Sequence, residues 1–226
     1  RPSVAALKEC IALLSGTQAV SGKVVADDSV FSAPDALGWA YQYWNGEEKD
    51  RVFEQLRTKK GKKIEGAAEI IPATQLYTEP YMVKFLVQNS LGAIWMQMYP
   101  ESDLCTNWEY YVKDADRAPV KQKNVASITF LDPACGSGHF LIEAFDLFYQ
   151  MYEAEGKVTE PEKICKSILS HNLFGIDIDE RAVQIARAAL WMKAAERVFE
   201  FSGIPKNLVA TNIRLPKGKD HLADFL

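Results

Sequence analysis

The segment Asp132-Pro133-Ala134-Cys135-Gly136-Ser137-Gly138-His139-Phe140 is a run of small residues between an apolar stretch and an amphipathic one, the pattern of a strand-to-helix turn. Small residues there let the backbone bend sharply and approach a ligand closely, and a helix amino terminus presents free amide hydrogens. Such a turn takes a carboxylate or another acceptor group. Asp132 adds a negative charge at the same spot. A ligand with a cationic amino or sulfonium group and a carboxylate therefore suits it better than a pyrophosphate. S-adenosylmethionine has that combination. The dinucleotide fingerprint fails, because Leu141 stands at the third glycine position and the next strand-end acid, Asp177, comes far beyond the spacing of about 20 residues. No Gly-Lys-Ser/Thr follows the turn, which excludes a P-loop.

A second cluster, Leu173-Phe174-Gly175-Ile176-Asp177-Ile178-Asp179, runs an apolar strand into two carboxylates separated by one residue. Alternation along a strand puts Asp177 and Asp179 on one side and Ile178 on the other. If the strand ends here, Asp177 can accept both ribose hydroxyls and Ile178 can pack on an adenine face. Asp179, directly before Glu180-Arg181, is better placed as a helix cap, and capping is also the competing reading of Asp177.

These residues need elements to hold them. The run from Val125 to Leu131 is β-branched-rich and short, as in a buried strand, and residues 172–178 form a second strand. Between and after them, Leu141, Phe145, Phe148 and Tyr152 mark one amphipathic helix, Ile164 and Ile168 a shorter one, and Val183, Ala186, Leu190 and Val198 a long third. Strand, helix, helix, strand, helix implies a parallel α/β sheet, whose ligands bind beyond the carboxyl ends of the strands. Upstream, Val83, Val87, Leu91, Ile94 and Met98 share a helical face, with Thr78 as cap and Pro80 in the first turn. Val4, Leu7, Ile11 and Leu14 before Gly16 indicate an opening helix, residues 21–34 read as a loop, and another helix begins near Asp35. Its aromatics, Trp39, Tyr41, Tyr43 and Trp44 beside Leu37, suggest core or a domain-packing surface. Arg57, Lys59, Lys60, Lys62 and Lys63 form a basic run around Gly61, the one candidate strip for phosphate contact, read as a solvated loop and a boundary. It divides the chain into a helical appendage, 1–63, and an α/β part, 64–226.

Composition narrows the class. The 226 residues are 48% hydrophobic and 25% charged, which disfavours disorder, collagen-like repeats and coiled coil. A formal charge of -4 offers no footprint for non-specific nucleic-acid binding, so DNA contact must be local or made elsewhere. Cys10, Cys105, Cys135 and Cys165 form no Cys-x-x-Cys pair, and no metal site is suggested. With no long apolar stretch and no basic-then-apolar start, a membrane span and secretion are disfavoured and a cytoplasmic location is expected. The chain begins Arg1-Pro2, which reads as a piece of a longer polypeptide.

The turn at 132–138 and the Gly175-Ile176-Asp177-Ile178-Asp179 cluster resemble motifs I and II of amino-group adenine DNA methyltransferases. Thr74-Gln75-Leu76-Tyr77-Thr78 resembles their motif X, and the order X, I, II is the γ-type arrangement. More narrowly, Leu37-Gly38-Trp39-Ala40-Tyr41-Gln42, Pro72-Ala73-Thr74-Gln75-Leu76-Tyr77 and Gln88-Asn89-Ser90-Leu91-Gly92 resemble the PglX-like methyltransferases of BREX phage-exclusion systems. The resemblance spans roughly residues 35–200. It implies a Rossmann-like, S-adenosylmethionine-dependent methyltransferase fold, incomplete at its carboxyl end and preceded by a helical appendage. It further implies that Gln75, Tyr77 and Thr78 hold the methionine end of the cofactor, that Asp132, Ala134, Cys135, Gly136, Gly138 and Phe140 surround it, that Asp177 binds ribose and that Ile178 contacts adenine. Two departures from the family stand out. Glu79 separates the motif X threonine from Pro80, and no acid follows the third strand, where Asn212 is the substitute for reading the adenine amino group. The (Asp/Asn/Ser)-Pro-Pro-(Tyr/Phe) tetrapeptide that positions a flipped base is absent, so no residue here is assigned a catalytic role. Double-stranded DNA, reached through regions outside this chain, and other phage-exclusion proteins are the implied partners. The rival readings are a catalytically silent methyltransferase-like module and, on a failed fingerprint, a nicotinamide oxidoreductase.

Overall fold

A computed structural model describes residues 36–64, 66–117, 120–121 and 124–211, together with 19–20 and 23–24. The opening helix expected over residues 4–14, and Asn212, lie outside the described residues. Strands β1 (Ala19–Val20) and β2 (Lys23–Val24) pair antiparallel, so Lys23 and Val24 fall in a strand where a loop was expected.

Three parallel strands carry the α/β part: β3 (Phe130–Asp132), β4 (Leu173–Asp177) and β5 (Leu208–Ala210), in the order β3-β4-β5. Asp132 pairs in register with Gly175, and Asp177 with Ala210, so the carboxyl ends of all three strands finish at one edge. Strand β3 is shorter than its β-branched sequence suggests, because Val125–Ser127 forms a 3₁₀ turn instead. Asn172 explains the difference. Its buried amide donates to Val125 O at 3.0 Å and Ile128 O at 2.7 Å, while its own carbonyl accepts from the Tyr152 hydroxyl at 2.9 Å. A fully satisfied buried amide outweighs local strand propensity here.

Helices connect the strands as the periodicity predicts. Between β3 and β4 come α6 (His139–Glu155) and α7 (Pro161–Ser167), the latter ending in a π-helical turn at Ile168–Asn172. Helix α8 (Glu180–Arg197) lies between β4 and β5. Leu141, Phe145, Phe148 and Tyr152 of α6 are all buried and form the centre of the core. Gly175 lets the sheet approach α6 closely: a Cβ there would lie 2.9 Å from Leu141 Cδ1 and 3.1 Å from Cys135 Sγ.

The preceding part is helical: α1 (Ala36–Trp44), α2 (Gly46–Thr58), α3 (Ala67–Thr74), α4 (Pro80–Val87) and α5 (Ala93–Met98), with a π-helical turn at Gln88–Gly92 joining the last two. Thr78 is not the cap of α4. Glu79 holds that position and its carbonyl accepts from the Met82 and Val83 amides, which leaves the Thr78 side chain outside the helix. The π turn inserts extra backbone, so the buried face passes from Val83, Val87 and Leu91 to Trp95, and Ile94 and Met98 are only partly covered. Aromatic residues of α1 do not form core: Tyr43 and Trp44 are 89% and 81% exposed. Arg57 lies in the last turn of α2 and the rest of the basic run in the connection to α3, where Lys62 pairs with Glu69 at 2.7 Å. Among the described residues, no helix is long and apolar enough to cross a membrane.

Candidate cofactor site

The two sequence clusters meet at the carboxyl edge of the sheet. Asp177 clasps both of them. Its Oδ2 accepts from the Gly136 amide at 2.7 Å and its Oδ1 from the Asp179 amide at 2.8 Å, while the Cys135 amide donates to Ile176 O at 2.9 Å. Gly136 and Gly138 have φ of 50° and 93°, a left-handed path that glycine takes without a Cβ penalty. Asp179 caps α8 as expected, accepting from the Arg181 amide at 3.0 Å. Its other oxygen accepts from the Tyr41 hydroxyl, which anchors α1 to the site. Burial, and the bond to that carboxylate, push the Tyr41 hydroxyl up to about 12.

A cavity of about 230 Å³ opens beside this clasp, and Gln75, Tyr77, Thr78, Ala134, Cys135, Gly136, Phe140, Asp177 and Ile178 all line it. Two expected residues do not. Gly138 is turned into the packing between loop and helix: a Cβ on it would lie 2.9 Å from Ala186 Cβ and 3.2 Å from Ala186 Cα on α8. Its smallness therefore serves helix packing, where close ligand approach was expected. Asp132 lines the adjoining cleft of about 390 Å³ between β3 and the α4–α5 helices, with Phe140 reaching both spaces. Asp132 Oδ1 accepts from the Ala134 amide at 3.1 Å, but its sheltered Oδ2 meets no donor among the described residues. Burial raises the Asp132 carboxyl above the ordinary carboxylate range, helped by the nearby charge of Asp177. Burial, with the charges of Asp132 and Asp177, pushes the Cys135 thiol up to about 12, so it stays protonated and is no nucleophile.

Comparison with known proteins places the chain in a family. The family described as "MmeI, DNA-methyltransferase domain" matches residues 88–218, more than half of the chain. The chain belongs to that methyltransferase family. It is 40% identical over 172 residues to the adenine-specific methyltransferase BrxX of Escherichia coli O9:H4 (strain HS), a match covering 72% of this chain and 13% of that protein. It is also 40% identical over 174 residues to the adenine-specific methyltransferase PglX of Lacticaseibacillus casei (strain Zhang), covering 70% of this chain and 14% of that one. The chain thus spans about one-seventh of the length of these relatives.

Parts of the candidate site come from residues that were not read as site residues in the sequence. Gly38 and Gln42 of α1 line the same cavity. A Cβ on Gly38 would lie 2.5 Å from the His139 ring and 2.6 Å from Ser137 Oγ, so α1 sits directly on the turn between β3 and α6. Trp39 stacks on Tyr77 at 3.4 Å between ring centroids, and Tyr77 meets His139 edge-on at 4.1 Å. Asn45 Nδ2 donates to Gln75 Oε1 at 2.9 Å and Lys49 Nζ to Gln75 O at 2.8 Å, tying the segment before α4 to α1 and α2. Elements on both sides of the basic run therefore build one cavity. The available signal was Gly38 itself, since an interior helix glycine costs about 1 kcal/mol relative to alanine and is kept where something must come close.

Proposed function

We propose that this chain is the S-adenosylmethionine-binding portion of a DNA adenine methyltransferase that acts in a BREX-type phage-exclusion or restriction-modification system of the cytoplasm, built on a Rossmann-like fold. The observation that carries the reading is the gathering of three separated segments, 75–78, 134–140 and 177–178, around one cavity clasped by Asp177. The residues suit the cofactor. Asp177 keeps free lone pairs beyond its two amide bonds for ribose hydroxyls, and Ile178 offers an apolar surface to the purine. Gly136 has open space where its Cβ would stand, leaving room for ligand. The bare Asp132 Oδ2 is an acceptor for the ammonium group, at a point where an unmet buried carboxylate oxygen is otherwise costly. Gln75, Tyr77 and Thr78 wall the methionine end, and Ala134, Cys135, Gly138 and Phe140 form or shape the surrounding turn. Asn212 remains the proposed reader of the adenine amino group. The cofactor, when bound, supplies an electrophilic methyl on its sulfonium. Positioning of the target amino group, and contact with double-stranded DNA and other exclusion proteins, we assign to regions outside these 226 residues, in keeping with the share of its relatives that the chain spans. Calorimetric titration with S-adenosylmethionine tests the reading. One-to-one binding is expected, and no binding would overturn it.

A further inference from the structure

Helix α1 does more than close the cavity. Gln42 projects into its lining, and Gln42 Oε1 is shut off from solvent yet meets no donor among the described residues. A buried carbonyl oxygen without a donor forfeits its hydration for nothing in return, and such groups in folded proteins call for a ligand or a water. The position is held from both sides. Tyr41, the preceding residue, is bonded to Asp179, and Gly38, one helical turn earlier on the same face, abuts Ser137 and His139. With the helix so constrained, Gln42 stays at the cavity wall, and turning its terminal amide about the last side-chain bond brings the sheltered Oε1 to a ligand there.

On the reading that the cavity takes S-adenosylmethionine, the possible donors are the ammonium group, the ribose hydroxyls and the adenine amino group. Asp132 Oδ2, in the adjoining cleft, is the acceptor suited to the ammonium. Gln42 lines the main cavity, which Gln75, Tyr77 and Thr78 share with Asp177 and Ile178, and the bond from its neighbour Tyr41 to Asp179 sets this part of α1 beside the Asp177–Asp179 end. We infer that Gln42 is a further cofactor-binding residue, whose carbonyl oxygen accepts a hydrogen bond from the adenosine half of the cofactor. In this arrangement α1 is an integral wall of the site, and the segment before the basic run reads the ligand directly.

The test compares wild type, Gln42→Met and Asp177→Ala by calorimetric titration with S-adenosylmethionine and with 5′-methylthioadenosine, which keeps adenine, ribose and sulfur but lacks the amino-acid part. Methionine retains the length and packing of glutamine without its hydrogen-bonding group, and Gln42→Ala repeats the comparison with a smaller side chain. Both Gln42 variants are expected to weaken both ligands by the same factor, about three- to tenfold, the size of one neutral hydrogen bond. Their far-ultraviolet circular dichroism is expected to match wild type. Wild-type affinity in the Gln42 variants, with Asp177→Ala impaired, overturns the inference and leaves the cofactor reading standing. A loss confined to S-adenosylmethionine also overturns it, since that places Gln42 at the methionine end. A wild-type chain that binds neither ligand refutes the cofactor reading itself.

Discussion

Replacing Asp177 by alanine removes a carboxylate that ties two loops together before any ligand arrives. Its oxygens hold the Gly136 amide at 2.7 Å and the Asp179 amide at 2.8 Å, so the turn after β3 and the start of α8 are linked through one side chain. A hydrogen bond to a charged group contributes roughly 1.5 to 3 kcal/mol. Gly136 is half-buried, so water can reach its freed amide, whereas Asp179 is buried; the lower end of that range is therefore a floor for each bond. The two together come to at least about 3 kcal/mol of stability. Urea unfolding with linear extrapolation measures it, because the surface exposed on unfolding, and hence the slope, stays the same while the midpoint falls. A second loss concerns ligand. Without the carboxylate, ribose hydroxyls lose their charged acceptor and affinity for S-adenosylmethionine is expected to fall at least about tenfold under conditions where the variant remains folded. A stability change below about 0.5 kcal/mol would refute the clasp, and unchanged affinity in a folded variant would refute the ribose assignment.

The two glycines of the turn should respond differently to alanine. Gly138→Ala sets a Cβ 2.9 Å from Ala186 Cβ at φ 93° and is expected to lose more than about 2 kcal/mol in thermal denaturation, whereas Gly136→Ala, with open space around it, loses only the left-handed strain of about 1 kcal/mol. Gly38→Leu forces α1 off the His139 ring and Ser137, so limited proteolysis should cut α1 faster and cofactor affinity should drop together. Burial, and then the Asp177 charge, hold the Asp132 carboxyl above its unfolded value, so its contribution to stability is full below the ordinary carboxylate range and is lost as pH rises through the raised value. Accordingly, Asp132→Asn is expected to match or exceed wild-type stability at neutral pH in urea unfolding, while wild-type cofactor affinity falls as acid protonates Asp132. With a formal charge of -4 and no Pro-Pro-aromatic tetrapeptide, the chain alone is expected to transfer no tritiated methyl to mixed-sequence DNA, and label found in adenine would refute the assignment of no catalytic residue.

Periodicity made α6, β4 and α8 legible because each is held chiefly by its own apolar face. Elements settled by distant side chains were not. The stretch from Val125 to Ile128 has strand-like composition, yet Asn172, far along the chain, captures the Val125 and Ile128 carbonyls and bends it into a turn. The start of α4 was misplaced by one residue for a related reason: the cap at Glu79 works through its backbone carbonyl, with no side-chain bond to mark it in the sequence. None of the aromatics of α1, expected in core or on a packing surface, is core, and only two of them pack. Tyr43 and Trp44 are exposed, while the useful ones, Trp39 and Tyr41, act singly on Tyr77 and Asp179.

At the site, the residues legible from pattern are those whose segments follow strand ends, since a parallel sheet brings those ends together whatever the loops contain, while Gln75, Tyr77 and Thr78, which lie between two helices, were reached only through the family resemblance. Among the residues missed are Gly38 and Gln42 of α1, which reaches the cavity because Gly38 allows it to touch Ser137 and His139. Gly136 and Gly138 show why composition alone assigns too much to the ligand. Both have left-handed φ and both stand in the same short turn, but Gly136 offers its amide to Asp177 beside open space, and Gly138 admits Ala186. One glycine shapes the cavity and the other lets α8 lie close enough for Asp179 to cap it and still reach Tyr41. The turn therefore couples helix packing to the shape of the cavity, so a substitution at Gly138, which does not line that cavity, should still displace Asp177 and Asp179, the carboxylates beside it.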